Sequence, residues 1–358
     1  MRGASDQLLP IMPYPIERKL VIGVASSAVF DMREANAVFV REGEEPYRRY
    51  QRERLAEPFD RGVAFPFIRR LLNLNNVYPK EEPIEVVVLS KNDPDTGRRF
   101  YRSCQSYGLP ITRGSFMAGG VPHRYMPAFN VSIFLSPDEK DVKAAMSEGF
   151  PAGIVLPGEI AEDDDDLALR VAFDFDGVIA DDAAEKVYKE NNLDLFHKFE
   201  QKNMCEPHAA GPLKDLISKM AFFQKLERKK ASQEPGYTPA LRIAIVTARN
   251  APSNERVVTT LECWGISPDE THFLGGIEKK RVLEIMKPHI YFDDQKAHLT
   301  PAANIIPCVH IPFGFVNELP QVVSKVDVAK PNVTPERTEK PRRPRVSVRR
   351  RHVTKIRR

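Results

Sequence analysis

The chain has 358 residues, 42% of them hydrophobic, which is enough for two domains with their own cores and excludes a mini-protein that needs staples. Its net charge of +4 is uneven, because residues 331–358 hold 11 Lys/Arg against two Glu and leave the rest of the chain mildly acidic, near −5. Cys104, Cys205, Cys263 and Cys308 form neither a CxxC pair nor a zinc-like cluster, and no run nears the roughly 18 apolar residues of a membrane span, so free thiols, no membrane and a cytoplasmic location are expected.

In chain order, Leu20–Ala25 and Glu85–Leu89 read as short buried strands. Pro157-Gly158 and the acidic Glu162–Asp166 read as a linker between two halves rather than a metal site. The strands Leu169–Phe173, Leu241–Val246 and His289–Phe292 follow, with helical periods over Arg256–Cys263 and Lys279–Met286. Buried strands alternating with helices predict an α/β class with a parallel sheet, in which ligands sit at the carboxyl ends of strands. The tail, rich in Pro-Arg and Arg-Arg-Arg, has too few apolar residues for a core and is predicted to be disordered.

The residues that follow the strands carry the chemistry. Asp174 and Asp176 lie two apart after Leu169–Phe173, so both carboxylates can face one pocket while Gly177 turns the chain. One can attack phosphorus to form an acyl phosphate; the other can protonate the leaving oxygen and later activate water. Two carboxylates repel a phosphate, so a cation is required, and magnesium with its preference for oxygen ligands suits a site completed by Asp293 and Asp294 after His289–Phe292. Thr247 could donate to a phosphate oxygen, with Arg249 as a further clamp, and Lys279 could neutralise charge on the phosphate. Singly, a Thr after a strand is ordinarily a helix cap and a Lys at a helix start ordinarily solvated; their order along the chain favours the site.

That order, Asp-x-Asp-Gly-Val, Thr, Lys, Asp-Asp, resembles the four motifs of the haloacid dehalogenase superfamily over residues 169 to about 315. Longer stretches are similar to the cytosolic 5′-nucleotidase type I family: Val246–Arg249, Thr260–Ile266, Phe273–Gly276, Lys287–Gln295 and, earlier, Ser26–Met32, Glu45–Gln51 and Ala64–Phe67. The resemblance implies hydrolysis of nucleoside 5′-monophosphates. Asp174 would be the nucleophile, Asp176 the acid/base, Thr247, Arg249 and Lys279 phosphate ligands, and Asp174, Asp176, Asp293 and Asp294 the Mg2+ site. Animal members carry Asp-Gly-Asp-Ala-Val where this chain has Asp174-Phe175-Asp176-Gly177-Val178; both carboxylates are kept, and only base preference is put in doubt. The same motifs would also serve a phosphatase or phosphotransferase for another small phosphate ester.

A shift of 157 positions lays the chain on itself. Ser90 then falls on Thr247, Arg99 on Arg256, Tyr107-Gly108-Leu109 on Trp264-Gly265-Ile266, and Ile133–Ser136 on Ile290–Asp293. Ser136 and Pro137 replace Asp293 and Asp294, and Pro122 stands opposite Lys279. The expected organisation is therefore a degenerate, non-catalytic domain over 1–158, an acidic linker over 159–168, a catalytic domain over 169–328 with a cap at about 182–237, and a basic tail over 329–358. Phe196, His197, Phe199 and Lys202 in the cap are candidate nucleoside contacts. The first domain is expected to act as a partner surface, a substrate-site wall or a nucleotide-effector pocket; a homo-oligomer, and a weak RNA contact by residues 331–358, are further expectations. A nucleic-acid-binding protein with a structural α/β domain is the non-enzymatic alternative.

Overall fold

In the computed structural model, residues 14–158, 163–184, 186 and 193–317 are described; the basic tail and residues 159–162 of the acidic linker lie outside them. Twelve strands occur among these residues: β1 Leu20–Val24, β2 Phe30–Asp31, β3 Asp60–Arg61, β4 Ile84–Ser90, β5 Arg113–Phe116, β6 Val131–Ser136, β7 Ala152–Val155, β8 Leu169–Phe173, β9 Leu241–Thr247, β10 Glu270–Phe273, β11 Ile290–Asp293 and β12 Cys308–His310. All but β2 and β3 join one sheet in the order β10-β9-β8-β11-β12-β7-β6-β1-β4-β5. This is the expected α/β class. Every residue of β1 and β4 is buried, as continuous apolar runs covered on both faces must be.

The sheet divides at its centre. Each half contributes five strands, and numbered within its half the order is third, second, first, fourth, fifth in both. Neighbours within a half are parallel, as in β1–β4 and β8–β9. The halves meet through β7 and β12, which pair antiparallel. The two stretches expected as separate domains thus share one sheet, and the carboxyl ends of their strands point in opposite directions along it.

Registry at the junction is close. Ser136 pairs with Ile154, Ile154 with His310, and His310 with Asp293, so the last residues of β6 and β11 lie in one row. Three strand spacings of about 4.8 Å place them roughly 14 Å apart. Glu139 and Lys296, each three residues past its strand, meet across the junction at 3.3 Å.

Helices cover both faces. The helix Phe65–Val77 packs on β4 and on β8 of the other half, and Lys214–Gln233 packs on β9 and on β1 and β6. Leu213, Leu216, Ile217 and Met220 enter the main core, so the latter part of the interval 182–237, expected to be a cap, is a crossover helix between β8 and β9. Its apolar face requires the sheet. The helix Leu193–Lys202 packs instead on Asn254–Cys263.

Candidate active site

Asp174 follows β8, Thr247 ends β9 and Asp293 ends β11, three adjacent strands whose parallel order brings their carboxyl ends together. The backbone fixes the first acid: Asp174 N–H donates to Phe292 O at 2.8 Å, and its Oδ1 accepts from Phe175 N at 2.7 Å. Gly177, at φ +69, lets the chain turn back, and a Cβ there would stand 2.6 Å from Asp294 Oδ2. The missing side chain is what admits the Asp294 carboxylate beneath the loop.

Lys279 opens the helix Lys279–Met286 and is buried. Its Nζ lies 2.7 Å from Asp174 Oδ2 and 2.8 Å from Asp293 Oδ2. Tyr291 Oη also donates to Asp293, and His298 Nδ1 lies 3.2 Å from Asp293 Oδ2. Burial and the neighbouring carboxylates Asp293 and Asp176 push Asp174 up to about 7, although Lys279 opposes them. Asp293 stands below the usual carboxylate range: burial raises it, but Lys279 and His298 outweigh burial. The two buried acids thus diverge, a pattern typical of sites where one carboxyl exchanges a proton or attacks.

Asp176 has a different partner. Arg249 Nε and Nη2 donate to its two oxygens at 2.7 and 2.6 Å, a bidentate pair. Arg249 Nη1 in turn donates to Glu200, from the helix Leu193–Lys202, and Glu200 accepts from Arg256 Nη1 at 2.9 Å. His208 Nε2 lies 3.2 Å from Glu200 Oε2. Burial raises the Glu200 carboxyl, yet His208 and Arg249 bring it down to about 2. A chain of charges therefore runs from the helix Leu193–Lys202 to Asp176.

Of the residues read from the sequence, Asp174, Asp293 and Lys279 form one cluster, with Thr247 and Asp294 buried beside it. Thr247 Oγ1 accepts from Arg249 N at 3.2 Å. Arg249, read as a phosphate clamp, instead holds Asp176. Phe196 is buried with the Arg249 guanidinium 5.3 Å from its ring, Arg256 lies 5.7 Å from the Phe199 ring, His197 is half-buried, and Lys202 is exposed. The sequence reading missed Glu200, His208, Arg256, Tyr291 and His298. Glu200 and Arg256 were findable only by pairing the halves, since their counterparts Gln51 and Arg99 make the equivalent contact at 3.1 Å.

Asp174, Asp293 and His298 place one ligand atom each within 4.8 Å of one another. With the Asp294 carboxylate closing against Gly177, this mainly oxygen donor set fits a hard divalent cation, whereas Asp176, with both oxygens on Arg249, offers it only backbone.

Among known proteins, the 5′-nucleotidase family model matches residues 12–318. Human (Homo sapiens) cytosolic 5′-nucleotidase 1B is 32% identical over 301 residues, covering 82% of this chain and 49% of that protein. The chain spans about half the length of that relative. No solved structure matches it. None of the helices among the described residues is long and apolar enough to cross a membrane.

Proposed function

Since the chain belongs to the 5′-nucleotidase family, we propose that it hydrolyses nucleoside 5′-monophosphates to nucleoside and phosphate, with Asp174 as nucleophile. The observation that carries this reading is the buried cluster of Asp174, Lys279 and Asp293 at the ends of adjacent parallel strands. Asp174 Oδ attacks phosphorus and the bond to the nucleoside 5′-oxygen breaks, that oxygen taking a proton from Asp176. Water, deprotonated by Asp176, then attacks the aspartyl phosphate; phosphate leaves and the Asp174 carboxylate is restored. Lys279 and Thr247 hold phosphoryl oxygens.

Asp174, Asp293, Asp294 and His298 are the side chains that would hold Mg2+, which when bound offsets the charge of phosphate against carboxylates. Arg249 governs when Asp176 can act. While both its oxygens accept from the guanidinium, neither is available to the leaving oxygen; to serve as the acid Asp176 must part from Arg249. Glu200 places this separation under the control of the helix Leu193–Lys202. Asp174, Lys279 and Asp293 are buried in this arrangement while Asp176 is half-buried, and on this reading substrate entry needs that helix to move.

The first half is, on this reading, a degenerate copy. Its support is the shared strand order and the equivalent bonds: Ala25 N to Leu135 O and Asp174 N to Phe292 O, both 2.8 Å; Met117 N to Ser90 O and Leu274 N to Thr247 O, both 3.0 Å. A cytoplasmic location follows as part of the proposal.

The test is phosphate release from AMP, IMP, deoxynucleotides and sugar phosphates, with and without Mg2+. Metal-dependent release from the nucleoside monophosphates is expected. Preference for a sugar phosphate would overturn the substrate class, and undiminished turnover by Asp174→Asn would overturn the nucleophile.

A further inference from the structure

A cavity of about 1400 Å³ opens at the carboxyl ends of β1, β4 and β6, in the half without the acids. It occupies the position that the active site occupies on β8, β9 and β11. The local hydrogen bonding is the same: Ser90 Oγ accepts from Asn92 N at 3.1 Å as Thr247 Oγ1 does from Arg249 N, and Ser136 Oγ accepts from Asp138 N at 3.1 Å as Asp293 Oδ1 does from Gln295 N.

The lining groups Ser26, Ser90, Asn92 and Ser136 at its strand ends are uncharged. Asn92, which stands where Arg249 does in the other half, donates through Nδ2 to Ser26 Oγ at 3.0 Å, and Ser26 Oγ lies 3.0 Å from Ser90 Oγ. Around the mouth the cations already have carboxylate partners: Lys91 with Asp141 at 2.6 Å, Arg33 with Asp31 at 2.5 Å, Lys296 with Glu139 at 3.3 Å and Arg61 with Asp164 at 2.9 Å. Six carboxylates line the cavity against four cations. A phosphate dianion would meet a net negative wall and no ammonium among those four groups; an uncharged ligand meets hydroxyl and amide groups able to donate and accept. One wall is aromatic, with the half-exposed Phe39 set edge-on to Tyr47 at 5.6 Å. Tyr47 is the counterpart of Phe196 in the other half.

We propose that this cavity binds an uncharged nucleoside, its base against Phe39 and Tyr47 and its ribose hydroxyls on Ser26, Ser90 and Asn92. The choice of ligand rests on the nucleotidase reading, since it takes the cavity as a descendant of a nucleotide site that has lost its phosphate-binding groups. At about 1400 Å³ the cavity exceeds the volume of one nucleoside.

Equilibrium dialysis of the full chain against adenosine, guanosine, inosine, cytidine and uridine tests it. At least one is expected to bind, at least ten-fold more weakly to Ser27→Trp, which fills the cavity from an exposed lining position, and to Asn92→Leu, which strips the lining amide. Binding is expected to persist in Asp174→Asn. The proposal is overturned if none of the five binds, if both cavity variants bind like the unaltered chain, or if AMP binds Asp174→Asn as tightly as adenosine and loses that binding in the Ser27→Trp double variant. Phosphate release is measured separately. Its absence, with nucleoside binding still lost in the cavity variants, would refute the nucleotidase reading while leaving the cavity site in place.

Discussion

At the end of β11, Asp293 is held by a lysine, a tyrosine and a histidine; at the matching place after β6, Ser136 accepts a backbone amide through the same kind of turn. One half closes over buried charge and the other opens onto a cavity with uncharged Ser26, Ser90, Asn92 and Ser136 at its strand ends. The backbone registers agree in both, so the architecture tolerates either content. Chemistry resides in a few side chains at strand ends rather than in the sheet itself.

The sharpest test of the contrast is the nucleophile. Asp174→Asn should lower phosphate release by roughly 10⁴-fold or more, as removal of a nucleophile does elsewhere. Adding Ala25→Asp and Ser136→Asp to that variant should restore nothing, because Pro122 stands where a lysine would be needed. Recovered turnover in the triple variant would break the comparison outright.

The Glu200 cluster comes next. Glu200 is buried and ionised among Arg249, Arg256 and His208, whereas its counterpart Gln51 is buried, neutral and bonded to Arg99. Urea unfolding should show Glu200→Ala costing about 3–5 kcal/mol, since it strands buried cations. Gln51→Ala should cost only about 1–3 kcal/mol. Equal losses would mean that the charge contributes nothing beyond packing. Lys279→Met should lower turnover by about 10²–10³-fold, the range for removing one transition-state donor.

The smallest effect concerns pH. Burial lowers the His208 pKa, but its contacts with Asp181 and Glu200 raise it above the ordinary value overall. Its protonated form is therefore favoured in the folded chain, so its contribution is fully present below about pH 6.5. That contribution fades as pH rises through the folded value. Phe59, the counterpart, donates its backbone N–H to Ser103 as His208 does to Thr260, both at 3.0 Å, and cannot titrate. His208→Phe should flatten the dependence of thermal stability on pH above about 6.5; an unchanged slope would remove His208 from the account.

The motif strands were legible because their apolar runs end abruptly in acids or Thr247, and the run after Glu85 was legible for the same reason. Short strands such as β5 and β10, half-buried and carrying polar residues, have no such signal. The repeat was visible only in part. Downstream of Ser90 the halves correspond at 157 positions, but Gln51 and Glu200, or Phe59 and His208, correspond at 149. Most of the difference sits in the sheet-packing helices, 13 residues in Phe65–Val77 and 20 in Lys214–Gln233. An ungapped comparison loses the Glu200 cluster there, and nothing local marks Glu200 as a partner of an arginine 49 positions later.

The β7–β12 junction bears on assembly. On the duplication proposed above, Glu139 meets in Lys296 its own counterpart, the mark of a two-fold contact between like surfaces. Such a junction is a dimer interface enclosed within a single polypeptide. With β7 and β12 paired to each other, a second copy could extend this sheet only from its outer strands, Arg113–Phe116 or Glu270–Phe273.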